Sequence, residues 1–512
     1  MCRVTIYLLL LTCVVVACQE KQENPNRFLT LETFSAMKRS DYVVDAQQGR
    51  KQLRRLARED QGELAADRHV RNHYLEGQPL LWIDRHGVDS RADSLVAYLD
   101  RVEEGGISPD VFRRRQIQID LQRVRQLEVG DSVKNLNAVL ARLEYNLTKA
   151  FLRYCAGQRY GYLNAEYVMN HCDVKDSDSL HVTYYQLFDV KVKRPKEAFF
   201  SSAFNKISHD SVATFLHEVQ PTNKLYKTLC RRFKEEKLTE AEKLTTLCNI
   251  ERCRWYLEDA PEQHKKYVLV NVPAFRLYAV CPDSTLSMRV GCGTKKSKTP
   301  LLTSKIERMD VNPQWFVPKS IALGIVYSHG YLKRNNMYIF DKKEGKLEYY
   351  RGSYSKIADG KQYIVQRGGP GNSLGRIIFR FPNNHSVYLH DTSSPWVFER
   401  SFRAVSHGCV RVQQPFELAR FLLHDPDDEL LDKIKYSMTA DLRPHEGEEE
   451  EMEQPEIDKD RLVHQVKVEP AVPVFITYYT LYPDQNGVLK EYNDVYGYDK
   501  ALKEHLKPYI YI

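Results

Sequence analysis

Residues Tyr388–Val412 read YLHDTSSPWVFERSFRAVSHGCVRV and close on Ser406-His407-Gly408-Cys409-Val410-Arg411, with a second histidine, His390, near the start. A cysteine attacks a carbonyl only as its thiolate, so it needs a base close by and donors for the oxyanion that develops. Gly408 lets the backbone turn sharply and brings its N–H close to a substrate. The runs Ser386-Val387-Tyr388-Leu389 and Cys409-Val410-Arg411-Val412 are short and rich in β-branched or aromatic residues, which predicts a strand at each end. Two such strands side by side would bring His390 within hydrogen-bond reach of Cys409. Their adjacency is not legible in the sequence.

The spacing of His390, fifteen residues and then Ser-His-Gly-Cys resembles the signature of the L,D-transpeptidases, which cross-link bacterial peptidoglycan. The resemblance implies Cys409 as nucleophile and His390 as its base. It also implies site-shaping roles for Ser406, His407 and Asp391, and oxyanion donors at the Gly408 and Cys409 amides. Arg411 stands where many members have Asn, as in the large Gram-negative subgroup. It would hold a stem carboxylate or serve a structural ion pair. His407 would share the face of Cys409 if both lay on a strand, as a backup base. No metal or cofactor is implied.

At 512 residues the chain needs two or three domains. Its 42% hydrophobic and 28% charged content is that of a globular protein. The net charge of +7 conceals nine acidic residues between Glu446 and Asp460. Without an arginine-rich helix or aromatic-basic motif, this charge does not indicate a nucleic-acid partner; an anionic wall polymer fits better.

Arg3 precedes an apolar run from Tyr7 to Ala17, too short to span a bilayer comfortably. Val15-Val16-Ala17-Cys18 resembles a lipoprotein signal, which implies residues 1–18 as signal peptide, lipidation at Cys18 and a tether over 19–26. The implied location is the periplasm, anchored to the outer membrane as Gln19 suggests. Seven cysteines besides Cys2, Cys13, Cys18 and Cys409 are an odd number, read as mostly buried thiols. A turn over 282–285 that pairs Cys281 with Leu286 would put Cys292 opposite Phe275.

The expected fold class is α+β. Residues 27–251 carry helical periodicity over Ser94–Leu99 and Leu136–Leu152, and Pro79–Gly87 and Gly105–Pro109 resemble the family's helical scaffold. There is no room for the small peptidoglycan-binding module common in large members. The catalytic domain is expected over 264–440, a β-sandwich-like domain with Tyr267–Tyr278 as one arm of a strand pair and Leu286–Val290 as the other. Residues 321–366, less regular and tyrosine-rich, match a capping lid. A helix is expected from Pro415 to His424 and an acidic disordered insertion over 441–465. Residues 466–512 would return to complete the domain.

The implied activity is 3→3 cross-linking of peptidoglycan tetrapeptide stems with release of terminal D-Ala, and carbapenems are the implied inhibitors. Water as acceptor would make an L,D-carboxypeptidase. A wall-binding lipoprotein with a dead site is the alternative from another class.

Overall fold

The computed structural model describes residues 45–84, 87–126, 133–177, 181–348, 351–441 and 457–510. The signal segment with Cys18 and the core of the acidic segment lie outside these residues. The chain forms two compact units, one of residues up to Arg159 with Pro195–Gln220, the other of Tyr160–Arg194 with Pro221–Ile512.

The first unit is helical, with the 28-residue helix Val133–Tyr160 as its longest element. Leu143, Leu147 and Phe151 recur on that helix at spacings of four and are fully buried, together with Trp82, Leu95, Leu99 and Ile117. The run around Trp82 is held from within. The buried carboxylate of Glu144 accepts the amides of Leu81 (2.6 Å) and Trp82 (3.1 Å) and the hydroxyl of Tyr74 (2.9 Å). Burial pushes its pKa up. Arg153 meets Asp67 in a fork at 2.6 and 2.9 Å.

The range 27–251, expected as one scaffold, is shared between the units. Helix Glu240–Arg254 packs in the second unit, where Leu247, Ile250 and Cys253 cluster with Leu229 and Leu481. Two buried polar contacts fix it there. Asn249 bonds the Thr480 hydroxyl (2.7 Å) and amide (3.0 Å), and Arg252 pairs with Asp499 at 2.6 Å. Such contacts over some 230 residues of sequence separation leave no mark on local composition.

The second unit is built on strands β1 Tyr267–Asn271, β2 Arg276–Cys281, β3 Ser284–Gly293, β4 Leu301–Val311, β5 Ile377–Arg380, β6 Leu389–His390, β7 Val410–Val412 and β8 Gln465–Thr477. They pair in the order β5-β6-β7-β3-β2-β1-β8-β4, and β4 pairs β5 again, so the sheet closes on itself. The expected single arm Tyr267–Tyr278 is two strands, because a turn over 272–275 with Phe275 at φ +47° folds β2 back on β1. The β2–β3 turn is tighter than expected: Cys281 lies opposite Ser284, not Leu286, and Ala279 opposite Leu286. No disulfide joins any cysteine among the described residues, and Cys155, Cys248, Cys253 and Cys292 are buried. Strand β8 inserts between β1 (parallel) and β4 (antiparallel). Residues past 436 thereby help to close the ring.

The excursion between β4 and β5 is more regular than its sequence suggests, and it starts earlier. Trp315–Phe316, Gln362–Gln366, Met337–Asp341 and Lys346–Glu348 form a four-stranded antiparallel sheet. It has its own core of Val326, Leu332, Met337, Ile339, Ile357 and Ile364. Helix Pro415–Leu422 follows β7. After the acidic core, Lys459–Arg461 form a helical turn, and the amide of Val463 donates to Ser437 Oγ (2.8 Å). Residues 457–465, expected within the disordered insertion, thus belong to the described structure, and 442–456 lie outside the described residues.

Candidate active site

Strands β6 and β7 lie side by side and parallel, with Leu389 opposite Val410 and His390 opposite Arg411. The amide of Val410 donates to the Tyr388 carbonyl at 3.1 Å. Side chains alternate along a strand. Leu389, Val410 and Val412 therefore enter the core, where they are at most 1% exposed. Tyr388, His390 and Arg411 emerge on the opposite face, with Cys409 next to them at the start of β7. The two ends of the 25-residue motif meet through this register.

The approach to Cys409 is fixed by its own chain. Residues 407–409 form a bend rather than a strand, and His407 points to solvent. The strand premise for His407 as a second base therefore does not hold. Gly408 has φ +118°, a conformation that a side chain resists. Ser406 Oγ donates to the Cys409 carbonyl (2.5 Å) and accepts the Gly408 amide (3.2 Å). That amide, expected at the oxyanion, is thus engaged by Ser406. Upstream, the buried guanidinium of Arg403 donates to the carbonyls of Val290 (3.1 Å) and Phe275 (3.0 Å), which ties the incoming segment to β3 and to the β1–β2 turn.

Both members of the pair are neutral at rest. Burial raises the Cys409 thiol, while the amide and phenol of Tyr388 and the charges of Arg411 and Arg380 oppose that rise. Desolvation, then the Arg411 charge, depresses His390 to about 4, against the carbonyls of Asp391 and Leu374. His390 is 4% exposed; the Asp391 and Leu374 carbonyls stand near its ring, but neither meets Nδ1 in hydrogen-bond geometry. No hydrogen bond joins it to Cys409 in this arrangement. A neutral imidazole beside a protonated thiol can take the proton only as the thiol reacts.

The surroundings hold the histidine in place. Asp391 accepts the Arg376 amide at 2.8 Å, and its own amide donates to the Ile377 carbonyl at 3.0 Å. A Cβ on Gly375 (φ +65°) would stand 2.4 Å from the Asp391 carboxylate. Gly375, at the end of the glycine-rich run 368–375, therefore packs against Asp391, next to His390. Arg411 is partly buried, its Nε has no partner, and it makes no ion pair with a described residue.

Two residues were missed as site residues. Tyr388 reads as a strand aromatic, and only the parallel pairing turns it towards the sulfur. Arg403 reads as one of many surface arginines; its place between β3, the β1–β2 turn and the Cys409 loop is a tertiary fact.

Residues 265–436 match the model of the L,D-transpeptidase catalytic domain, and residues 68–232 match that of the scaffold domain. This chain joins the scaffold to an L,D-transpeptidase catalytic domain. A Haemophilus influenzae protein described as "Putative L,D-transpeptidase" is 25% identical over 331 residues, covering 62% of this chain and 61% of that protein. The chain thus spans less than two thirds of that relative. The catalytic-domain match contains every residue singled out around Cys409 and His390, and it stops before β8.

Proposed function

We propose that the protein is a peptidoglycan L,D-transpeptidase that forms 3→3 cross-links through an acyl-enzyme on Cys409. The observation that carries this reading is the parallel β6–β7 register, which puts thiol, neutral imidazole and unpaired guanidinium on one face. His390 takes the thiol proton as the sulfur attacks the amide between the third residue and D-Ala of a tetrapeptide stem. The tetrahedral oxyanion is met by the Cys409 amide, and by the Gly408 amide once Ser406 releases it; such donors are commonly each worth about 10²–10³ in rate. His390 then returns the proton to the departing D-Ala amine and a thioester remains. The side-chain amine of a neighbouring stem's third residue attacks the thioester and passes its proton through His390 to the leaving sulfur. The cross-link and the free thiol result.

In this scheme Arg411 holds a stem carboxylate in a charge-assisted pair, and the backbone of Asp391 orients His390. The strained β-lactam of a carbapenem would acylate the same sulfur. In the same scheme the enzyme works in the periplasm, held at the outer membrane by a lipid on Cys18.

Incubation of the protein with disaccharide-tetrapeptide tests the reaction. Free D-Ala and 3→3 dimers are expected, both absent with Cys409→Ala. Shortened stems without dimers would make water the acceptor and the enzyme a carboxypeptidase.

A further inference from the structure

The ring of strands carries a second feature on the face that bears His390. A cavity of about 410 Å³ is lined in part by Asp310, Asn312, Phe316, Arg367, Arg380 and His464. Asp310 on β4 lies opposite Ile378 on β5, and Ile378 opposite His390 on β6. Residues facing each other across paired strands share a side of the sheet, so Asp310, Ile378, His390 and Arg411 form one row across four strands. Arg380, two residues along β5, lies over the ring of Tyr388 at 5.4 Å, and Tyr388 in turn faces the Cys409 sulfur. The cavity and the nucleophile are thus linked by one arginine and one tyrosine.

Its charges do not balance. Asp310 is shared by two guanidiniums, pairing with Arg380 and with Arg308 at 3.3 Å. Arg367 stacks over Tyr338 at 4.4 Å and makes no ion pair with a described residue. Arg367 and Arg380 line the cavity against the one carboxylate of Asp310, which Arg308 also shares from outside the lining, so positive charge is in excess around a concavity that has an apolar wall at Phe316, itself 60% exposed. Two guanidinium groups with open donors match a carboxylate better than a neutral amide.

We propose that this cavity receives a free carboxylate of the peptidoglycan stem while the scissile amide lies at Cys409, with Arg367 as the specificity-determining residue and Arg380 supporting it. The inference rests on the reading of the protein as an enzyme of peptidoglycan stems.

The test compares disaccharide-tetrapeptide bearing free carboxylates with the same compound amidated at those groups, on the full chain and on Arg367→Ala. The variant is expected to lose about tenfold or more in kcat/KM for the free acid, through KM, a typical loss for one charge-assisted contact. It should handle the amide as the parent does, and the rate of Cys409 alkylation by iodoacetamide should be unchanged. Arg367→Gln, which keeps the stem over Tyr338, is expected to behave alike and replaces Arg367→Ala if that variant does not fold. An equal preference for the free acid in parent and variants would overturn the proposal. If the parent turns over neither compound, the proposed reaction fails, and equilibrium binding of both compounds to Cys409→Ala and to Cys409→Ala with Arg367→Gln reads the cavity separately. A free-acid preference that Arg367→Gln abolishes supports the cavity. Equal affinities, or no binding of either compound, overturn it.

Discussion

Glu144 in the helical unit and His390 in the strand ring are both buried titratable side chains, yet their partners differ. The Glu144 carboxylate meets two amides and a hydroxyl within 3.1 Å. His390 leaves Nδ1 without a partner and faces a guanidinium whose Nε is equally unpaired. A buried polar group with every bond made is a fastener, since its loss strands the donors it served. A buried group left incomplete beside a thiol is instead ready to accept a proton. Burial alone does not separate structure from function; the completeness of the bonding does.

The contrast is most easily broken through His390. With His390→Gln, acylation of Cys409 by a stem or a carbapenem is expected to fall about 10²–10⁴-fold, while the melting temperature shifts by no more than a few degrees. A large loss of stability with acylation retained would make His390 a fastener after all. Glu144→Ala is expected to do the reverse. The stranded Leu81 and Trp82 amides should cost about 2 kcal/mol or more in urea unfolding, with the alkylation rate of Cys409 unchanged.

Dependence on pH sharpens the same comparison because the signs oppose. His390 binds a proton at about 6.5 when unfolded and at about 4 when folded. Between those values the unfolded state holds more protons, so stability falls as pH drops from about 6.5 to about 4. Glu144 is raised by burial, so the folded state holds more protons above the ordinary carboxylate range, and stability falls there as pH rises. Denaturation profiles should lose the first slope in His390→Gln and the second in Glu144→Gln. The smallest effect is expected from Tyr388→Phe, which removes a phenol favouring the thiolate. Alkylation of Cys409 at neutral pH should slow a few-fold, with its pH profile displaced upward.

Much of the candidate site was legible because its chemistry is local. Ser406–Arg411 spells out a thiol on a glycine turn, and the strand propensity around His390 and Val410 is plain in the residues. What was hidden depends on pairing. The parallel β6–β7 register selects Tyr388, and nothing in the chain between them states whether those strands run together. The engagement of the Gly408 amide depends on one rotamer of Ser406, which a sequence does not fix. The β2–β3 register slipped because the turn formed on Pro282 and Asp283 alone, drawing Ser284 opposite Cys281. The sharing of 27–251 between the two units was hidden for a similar reason: helix Glu240–Arg254 is buried at every residue from Thr245 to Arg254, and its place is set by Thr480 and Asp499 near the far end of the chain. The closure of the ring through β4–β5 likewise comes from contacts, not composition.

The most direct test is the intact mass of the folded, reduced protein after mixing with disaccharide-tetrapeptide and, separately, with a carbapenem, beside Cys409→Ala and His390→Gln. An acyl adduct in the parent, absent from Cys409→Ala and strongly slowed in His390→Gln, is the predicted result. No adduct from either compound, or an adduct that persists without Cys409, would contradict the account.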